Sequence, residues 1–83
     1  MNYTVSLKPK AIRDFGNLQK KDSVRVADAL ERLCTDMTGD VKKLTNFTPE
    51  YRLRVGPFRV LFEIENGTQI VVYRIARRRE AYR

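Results

Sequence analysis

Four arginines recur within short alternating runs in the second half of the sequence, and together they could bind a phosphate group. Arg52 and Arg54 precede a Gly-Pro pair, Arg59 follows it, and Arg74 lies in a later run of the same kind. A guanidinium group donates paired hydrogen bonds that match phosphate oxygens, so several of them on one surface can bind a phosphodiester. Fixed cations of this kind also stabilise the charge that develops on phosphoryl oxygens during cleavage.

Two turn signals divide this half of the chain into three strands and set which arginines face each other. The Gly-Pro pair at 56–57 suits a type II′ turn, and the Asn-Gly pair at 66–67 is the strongest short signal for a type I′ turn. With two-residue loops at both places, counting outward predicts Arg54 opposite Arg59 and Arg59 opposite Arg74. The three arginines would then form one row across the sheet.

The same register predicts that the apolar positions of the three strands share one face, which we expect to pack on helices. These positions are Tyr51, Leu53, Val55, Phe58, Val60, Phe62, Val71, Tyr73 and Ile75. The other face carries the arginines with Leu61, Glu63, Ile70 and Val72. Because like charges opposite one another destabilise a sheet, the row favours a surface built to bind an anion. The alternative is a solvated face on which the arginines diverge and Glu63 neutralises one of them.

The first half of the chain predicts one strand followed by a helical hairpin. Tyr3, Val5 and Leu7 alternate with polar residues, which indicates a half-buried strand. Pro9 suits the first turn of a helix, and Asp22 suits the N-cap of a second helix. The apolar stripes of the two helices are Ala11, Ile12, Phe15 and Leu18, then Val26, Ala27, Leu30, Leu33, Cys34 and Met37. Residues 38–40 end the second helix, and Cys34 is interpreted as a core residue rather than a nucleophile.

Residues 41–50 predict a polar connector before the three strands, with Lys42 and Lys43 exposed and Leu44 and Phe47 as apolar anchors.

At 83 residues the chain predicts one domain, spanning residues 1–83. No stretch resembles a secretion signal or a membrane span, and a single cysteine fits a reducing cytoplasm. The net charge of +7 favours a polyanionic partner such as nucleic acid.

The last residues extend the basic surface beyond the third strand. Arg77, Arg78 and Arg79 follow one another, and Tyr82 and Arg83 come shortly after them. Aromatic rings stack on nucleic-acid bases, so a tyrosine among arginines is typical of single-stranded RNA binding. The run therefore strengthens the interpretation of the arginine strands as a nucleic-acid surface.

The order of these elements, with "KKL", "YRLRVGPFRVLFEI" and "RIARRREAYR", resembles the RelE family of bacterial and archaeal toxins in the RelE/ParE superfamily. The resemblance covers nearly the whole chain and is densest over residues 42–83. It implies an α+β fold in which an N-terminal strand, an antiparallel helical hairpin and a three-stranded antiparallel meander form one sheet packed on the helices. It also implies a metal-independent endoribonuclease that cleaves mRNA in the ribosomal A site, with mRNA, the ribosome and a RelB-type antitoxin as partners.

The resemblance also assigns roles to residues. The basic positions of the family's second strand fall on Arg52 and Arg54, and its phosphate-binding arginine falls on Arg59. The basic residue after the last strand falls on Arg77 or Arg78, where many relatives have histidine, and the C-terminal tyrosine falls on Tyr82. The expected catalytic set is Arg54, Arg59, Arg77, Arg78 and Tyr82, and the expected RNA-binding set is Lys42, Lys43, Arg52, Arg74, Arg79 and Arg83.

Proton transfer is harder to assign from this sequence. The chain has no histidine, which is the residue type that ordinarily titrates near neutral pH, and arginine is a poor base. Tyr82, Glu63, Glu80, a water molecule or the ribosome are the candidates. No metal or other cofactor is expected, because the chain has one cysteine and no clustered carboxylates.

Two other functions fit the same features. A ParE-like toxin would inhibit DNA gyrase and cleave nothing, although it would not need a phosphate-sized cluster of arginines. A non-enzymatic RNA-binding module would share the charge and the fold.

Overall fold

The computed structural model describes residues 3–44 and 48–77, in which two helices pack on one face of a five-stranded sheet. In chain order the elements are β1 (Thr4–Leu7), α1 (Pro9–Gly16), α2 (Lys20–Asp36), β2 (Asp40–Lys43), β3 (Tyr51–Val55), β4 (Phe58–Glu65) and β5 (Gln69–Arg77). The strand order is β1-β5-β4-β3-β2, with β1 parallel to β5 and the other neighbours antiparallel. The predicted α+β class is confirmed, and β1 lies at one edge of the sheet.

The apolar stripe of α1 is narrower than the sequence predicts. The helix begins at Pro9, whose fixed φ suits a first turn. Ala11 is fully buried, and Phe15 and Leu18 pack against the core. Ile12 is 59% exposed, so its inclusion in the stripe is wrong.

The second helix begins and ends earlier than expected. Gln19 is its N-cap, and Asp22 lies in the first turn, where a negative charge interacts favourably with the positive end of the helix dipole. The prediction of Asp22 as the N-cap is therefore wrong. Met37 ends the helix in the left-handed conformation and donates its N–H to the carbonyl of Leu33 at 2.9 Å. Neither helix in the described ranges is long and apolar enough to span a bilayer.

The core lies between the helices and the sheet. Its buried members are Ala11, Val26, Leu30, Leu33, Leu53, Val55, Val60, Phe62, Ile70, Val72 and Ile75. Phe62 stacks on Tyr51 with ring centroids 5.5 Å apart. Cys34 packs against this cluster, and burial raises the pKa of its thiol, which agrees with a core role rather than a nucleophilic one.

The first β-hairpin has the predicted register, whereas the connector before it contains a strand that the sequence did not predict. Arg54 pairs with Arg59 across the turn at Gly56, which has a φ of +57°. Residues 40–43 form β2, an edge strand antiparallel to β3. Its single apolar residue, Val41, lies opposite Leu53 and packs against the core, so the alternation is too short to recognise in the sequence.

The turn of the second hairpin has the predicted backbone conformation but one more residue than predicted. Asn66 and Gly67 both have positive φ, and Thr68 donates its N–H to the carbonyl of Glu65 at 3.2 Å. Glu65 nevertheless pairs with Gln69, so Thr68 is an additional turn residue. The register is displaced by one position from the prediction.

A β-bulge displaces the register once more. Between the pairs Phe62–Val72 and Leu61–Arg74, Tyr73 is an extra residue on β5. Ile70 and Val72 therefore belong to the helix-facing core, and Val71 lies opposite Glu63 on the other face; their predicted faces are wrong. Beyond the bulge the original alternation returns, and Ile75 is in the core as predicted.

Candidate nucleic-acid interface

The sheet face opposite the helices carries a cluster of cationic side chains on three neighbouring strands. Lys42 on β2 lies opposite Arg52 on β3, and Arg54 on β3 lies opposite Arg59 on β4. Leu53, between Arg52 and Arg54, and Val60, next to Arg59, belong to the core on the other side of the sheet. These four residues, Lys42, Arg52, Arg54 and Arg59, form the cationic face of the protein.

Two of its arginines are buried, which the sequence did not indicate. Arg52 is 7% exposed and Arg59 is 4% exposed, whereas the side chain of Arg54 is 49% exposed. Arg59 donates from Nη1 to the neighbouring carbonyl of Phe58 at 3.4 Å, a long hydrogen bond. A guanidinium removed from water interacts more strongly with an anion than an exposed one, because less solvent screens the charge. The face therefore combines two buried cations with two that solvent can reach, Arg54 and Lys42.

A small apolar cluster lies beside these arginines on the same side of the sheet. Leu61 and Ala76 are buried there, and Leu44 packs against them. Leu44 is held by its backbone N–H, which donates to the carbonyl of Glu50 at 2.6 Å. An apolar surface next to the arginines lowers the local dielectric, so it strengthens their attraction for a bound phosphate.

Asp40 is the residue of this site that the sequence analysis missed. Its Oδ1 lies 3.8 Å from Nη1 of Arg52, and its Oδ2 lies 3.6 Å from Nε of Arg54. Both contacts are longer than a hydrogen bond, and the buried Nη1 of Arg52 has no hydrogen-bond acceptor in the described part of the protein. A buried donor without an acceptor costs about 1–3 kcal/mol, so this atom is available to donate a hydrogen bond to a ligand oxygen. Position 40 is opposite Arg54 only because β2 pairs with β3, which is why the sequence alone did not reveal it.

Arg74 does not join the predicted row. It lies opposite Leu61, and Ala76 takes the place opposite Arg59. Its guanidinium forms an ion pair with Asp14 of α1, with Nε 2.7 Å from Oδ2. The predicted row of Arg54, Arg59 and Arg74 is therefore wrong, because the extra turn residue and the bulge displace β5.

Arg77 lies on the opposite side of the sheet from Arg59. It is the last residue of β5 and pairs with Phe58, and its guanidinium carbon is 5.2 Å from the centroid of the Phe58 ring. Both residues line a cleft of about 390 Å³ at the junction of the two helices. The structure thus brings Arg54 and Arg59 together but separates Arg77 from them.

The remaining candidates are distributed as follows. Lys43 lies opposite Tyr51, whose ring packs against the core, so it belongs to the other face from Lys42. Glu63 makes no ion pair with any residue in ranges 3–44 and 48–77; the carboxylates that contact arginines there are Asp14 and Asp40. Arg78, Arg79, Glu80, Tyr82 and Arg83 lie outside the described residues. Within the described ranges, no three His, Cys, Asp or Glu side chains are grouped so as to hold a metal ion.

Comparison with protein families gives a match over nearly the whole chain. A family model described as the ParE toxin of the type II toxin–antitoxin system, parDE, matches residues 5–82. A protein of Methanocaldococcus jannaschii that carries the name toxin RelE1 is 27% identical over 88 residues, which cover 100% of this chain and 98% of that protein.

Comparison with solved structures gives similar folds. The chain matches one from the RelBE2 toxin–antitoxin complex of Mycobacterium tuberculosis with a TM-score of 0.78 and 26% identity, covering 94% of this chain and all of that one. It matches a chain of the archaeal RelE–RelB complex of Pyrococcus horikoshii with a TM-score of 0.77 and 23% identity, covering 98% and 100% of the two chains. The second likeness concerns the fold alone.

Proposed function

Because the chain belongs to the ParE toxin family of type II toxin–antitoxin systems, within the RelE/ParE superfamily, we propose that it is a ribosome-dependent mRNA endoribonuclease. It inhibits translation by cleaving mRNA in the ribosomal A site. The observation that carries this proposal is the pairing of Arg54 with the buried Arg59, next to Arg52. Three guanidinium groups on two adjacent strands present enough donors to bind both non-bridging oxygens of one phosphodiester.

The proposed reaction is attack of a ribose 2′-hydroxyl on the adjacent phosphate. A bond forms between the 2′-oxygen and phosphorus, and the bond from phosphorus to the 5′-oxygen breaks, which leaves a 2′,3′-cyclic phosphate and a 5′-hydroxyl end. Negative charge accumulates on the non-bridging oxygens, where Arg54 and Arg59 stabilise it. Burial of Arg59 supports this role, because its position is set before the RNA binds.

A third cation from the C-terminal segment completes the proposed site. The family resemblance leaves Arg77 and Arg78 as candidates. Since Arg77 contacts Phe58 on the helix-facing side, we assign the role to Arg78 and an accessory RNA-binding role to Arg79 and Arg83. Tyr82 stacks on a base next to the cleaved bond in this proposal.

Proton transfer depends on groups other than the cationic face. The 2′-hydroxyl must lose a proton and the leaving 5′-oxygen must gain one. Glu63 is four residues from Arg59 along β4, roughly 13 Å at the rise of a strand, so it lies too far away to act. Tyr82, Glu80, a water molecule and the ribosome are the remaining candidates, and this scarcity supports a reaction that needs the ribosome to align the RNA.

A cognate RelB-type antitoxin is the proposed protein partner, because related chains were solved as RelB–RelE and RelBE2 complexes. An acidic amphipathic segment would bind the cationic face, with apolar contact to the half-buried Leu44, which packs on Leu61 and Ala76. Ile70 and Val72, which the sequence analysis placed on this face, are in the core and are not available for it. The proposed site of action is the cytoplasm, where mRNA and ribosomes meet.

The alternative within the superfamily is inhibition of DNA gyrase, which the parDE description of the matching family model favours. Mapping of RNA 5′ ends after brief induction in cells, together with a supercoiling assay on purified gyrase, separates the two. We expect new 5′ ends inside translated messages, none in untranslated RNA, and unimpaired gyrase. Growth arrest with inhibited gyrase and no new 5′ ends would overturn the proposal.

A further inference from the structure

We infer that Asp40 is a built-in competitor of RNA: its carboxylate occupies the anion position between Arg52 and Arg54, and a phosphate of the bound strand displaces it. The inference rests on the proposed function, because it takes the cationic face as the surface that receives RNA. Asp40 opposes RNA binding in this way and thereby sets how tightly the cationic face binds a polyanion.

The geometry indicates that the Asp40 carboxylate lies where a ligand anion would bind and does not form a structural ion pair. One carboxylate reaches two arginines, with Oδ1 near Arg52 at 3.8 Å and Oδ2 near Arg54 at 3.6 Å. It satisfies the hydrogen-bond donors of neither, and Nη1 of Arg52 is buried without an acceptor among the described residues. By contrast, the Asp14–Arg74 contact is a true hydrogen bond of 2.7 Å. The two non-bridging oxygens of a phosphodiester are arranged around a tetrahedral phosphorus, so they can accept hydrogen bonds from both arginines together.

The position of Asp40 also allows it to leave. It is the first residue of β2, an edge strand, and its side chain is 56% exposed. Rotation of the side chain into solvent breaks no hydrogen bond of the described protein. Arg52 is buried and stays in place, so the anion position persists after Asp40 has moved.

Without RNA, the carboxylate reduces the repulsion among the four cations of the cationic face. When RNA binds, a phosphate replaces the carboxylate of Asp40. The free energy of binding is therefore less favourable than it would be for the same four cations without Asp40. The consequence is weaker retention of free RNA, while a strand delivered in the correct geometry can still displace the carboxylate.

The test is binding of a short RNA with 2′-O-methyl groups at every ribose, which cannot be cleaved, measured by fluorescence anisotropy. Asp40→Asn is compared with Glu65→Gln, which makes the same change in net charge at the far end of β4. We expect Asp40→Asn to bind about two- to fivefold more tightly than the control, the range given by one exposed charge pair. Equal or weaker binding than the Glu65→Gln control would overturn the inference.

Salt dependence separates direct competition from distant repulsion. Between about 0.1 and 0.3 M salt the Debye length falls from about 10 Å to about 6 Å, which screens long-range effects but not a contact. The ratio of affinities between the two variants should persist over this range. If it vanishes, Asp40 acts only through the general field and the inference fails.

A measurement on the unaltered protein avoids any dependence on how the variants fold. The ¹³C carboxyl resonance of Asp40 should shift when the 2′-O-methyl RNA is added, while that of Glu65 should not. An Asp40 resonance unaffected at saturating RNA would refute displacement. None of these measurements involves cleavage. An absence of mRNA cleavage on ribosomes would therefore refute the proposed function, whereas the binding and NMR results alone decide whether Asp40 competes with RNA.

Discussion

Asp14 and Arg74 are sixty positions apart in the sequence and form an ion pair in which Nε of Arg74 donates to Oδ2 of Asp14 at 2.7 Å. The same oxygen accepts the backbone N–H of Ile75 at 3.0 Å. Pairing of β1 with β5 ends at Val72, so Asp14 satisfies an N–H of β5 beyond the end of β1. The contact holds α1 against the sheet and explains why Arg74 is not part of the cationic face.

We therefore predict that Arg74→Met lowers the free energy of unfolding by about 1–2 kcal/mol, since it removes a charged hydrogen bond that is partly buried. Growth arrest on expression should persist at temperatures where the variant is folded. Urea unfolding measures the first effect, and Arg13→Met, at an exposed position of α1 near Asp14, is the control. A fully stable Arg74→Met protein without toxicity would instead return Arg74 to the RNA-binding set.

Phe62 tests the packing of the sheet on the helices. Its side chain is fully buried and stacks on Tyr51. Phe62→Ala should lower the free energy of unfolding by about 3–5 kcal/mol, enough to unfold a domain of this size in large part. Circular dichroism during urea titration measures the loss, and Val24→Ala, at a residue that is 49% exposed, should change stability little. A loss under about 1 kcal/mol for Phe62→Ala would contradict the assigned core.

Arg77 and Arg78, which are adjacent in the sequence, offer a matched pair of variants. Arg77→Met should cost about 0.5–1 kcal/mol of stability through its contact with Phe58 and change cleavage little. Arg78→Met should slow cleavage of bound RNA by about 10²–10³ with little change in affinity, since it removes a cation that acts on the transition state. Cleavage rates on ribosomes saturated with toxin decide the matter. The reverse pattern would assign the catalytic role to Arg77.

Tyr82 lies outside the described residues, and two variants separate its possible contributions. Tyr82→Phe keeps the ring and loses the hydroxyl, whereas Tyr82→Ala also loses stacking worth about 1–3 kcal/mol per base. If stacking is its role, Phe restores most of the cleavage that Ala loses. If Phe is as inactive as Ala, the hydroxyl takes part in positioning or proton transfer. Unchanged rates for both variants would exclude Tyr82 from the site.

The sequence predicted those parts of the fold that depend on local patterns. The two-residue turn at Gly56 sets the pairing of Arg54 with Arg59, and both were correct. The second hairpin failed because the Asn-Gly signal predicts a backbone conformation, which the turn has, but not the extra Thr68 or the bulge at Tyr73. The bulge is a feature of the pairing between β4 and β5, which no local signal records.

The candidate site was also predictable only where it depends on local patterns. Alternation along β3 and β4 correctly placed Arg52, Arg54 and Arg59 on one face. Asp40 was missed because β2 is short, polar and at an edge, and its pairing with β3 is not local. The burial of Arg52 and Arg59 also follows from tertiary packing, since an arginine on an alternating strand is ordinarily exposed.

If Arg59 stabilises the transition state of mRNA cleavage, its loss must slow single-turnover cleavage on programmed ribosomes with saturating toxin. Arg59→Met replaces the guanidinium side chain with an apolar one of similar length at a buried position, so the variant should fold as well as the wild type. We predict A-site cleavage by the wild-type protein and a rate lower by about 10²–10³ for Arg59→Met. A folded Arg59→Met protein that cleaves at the wild-type rate would show that Arg59 does not stabilise the transition state.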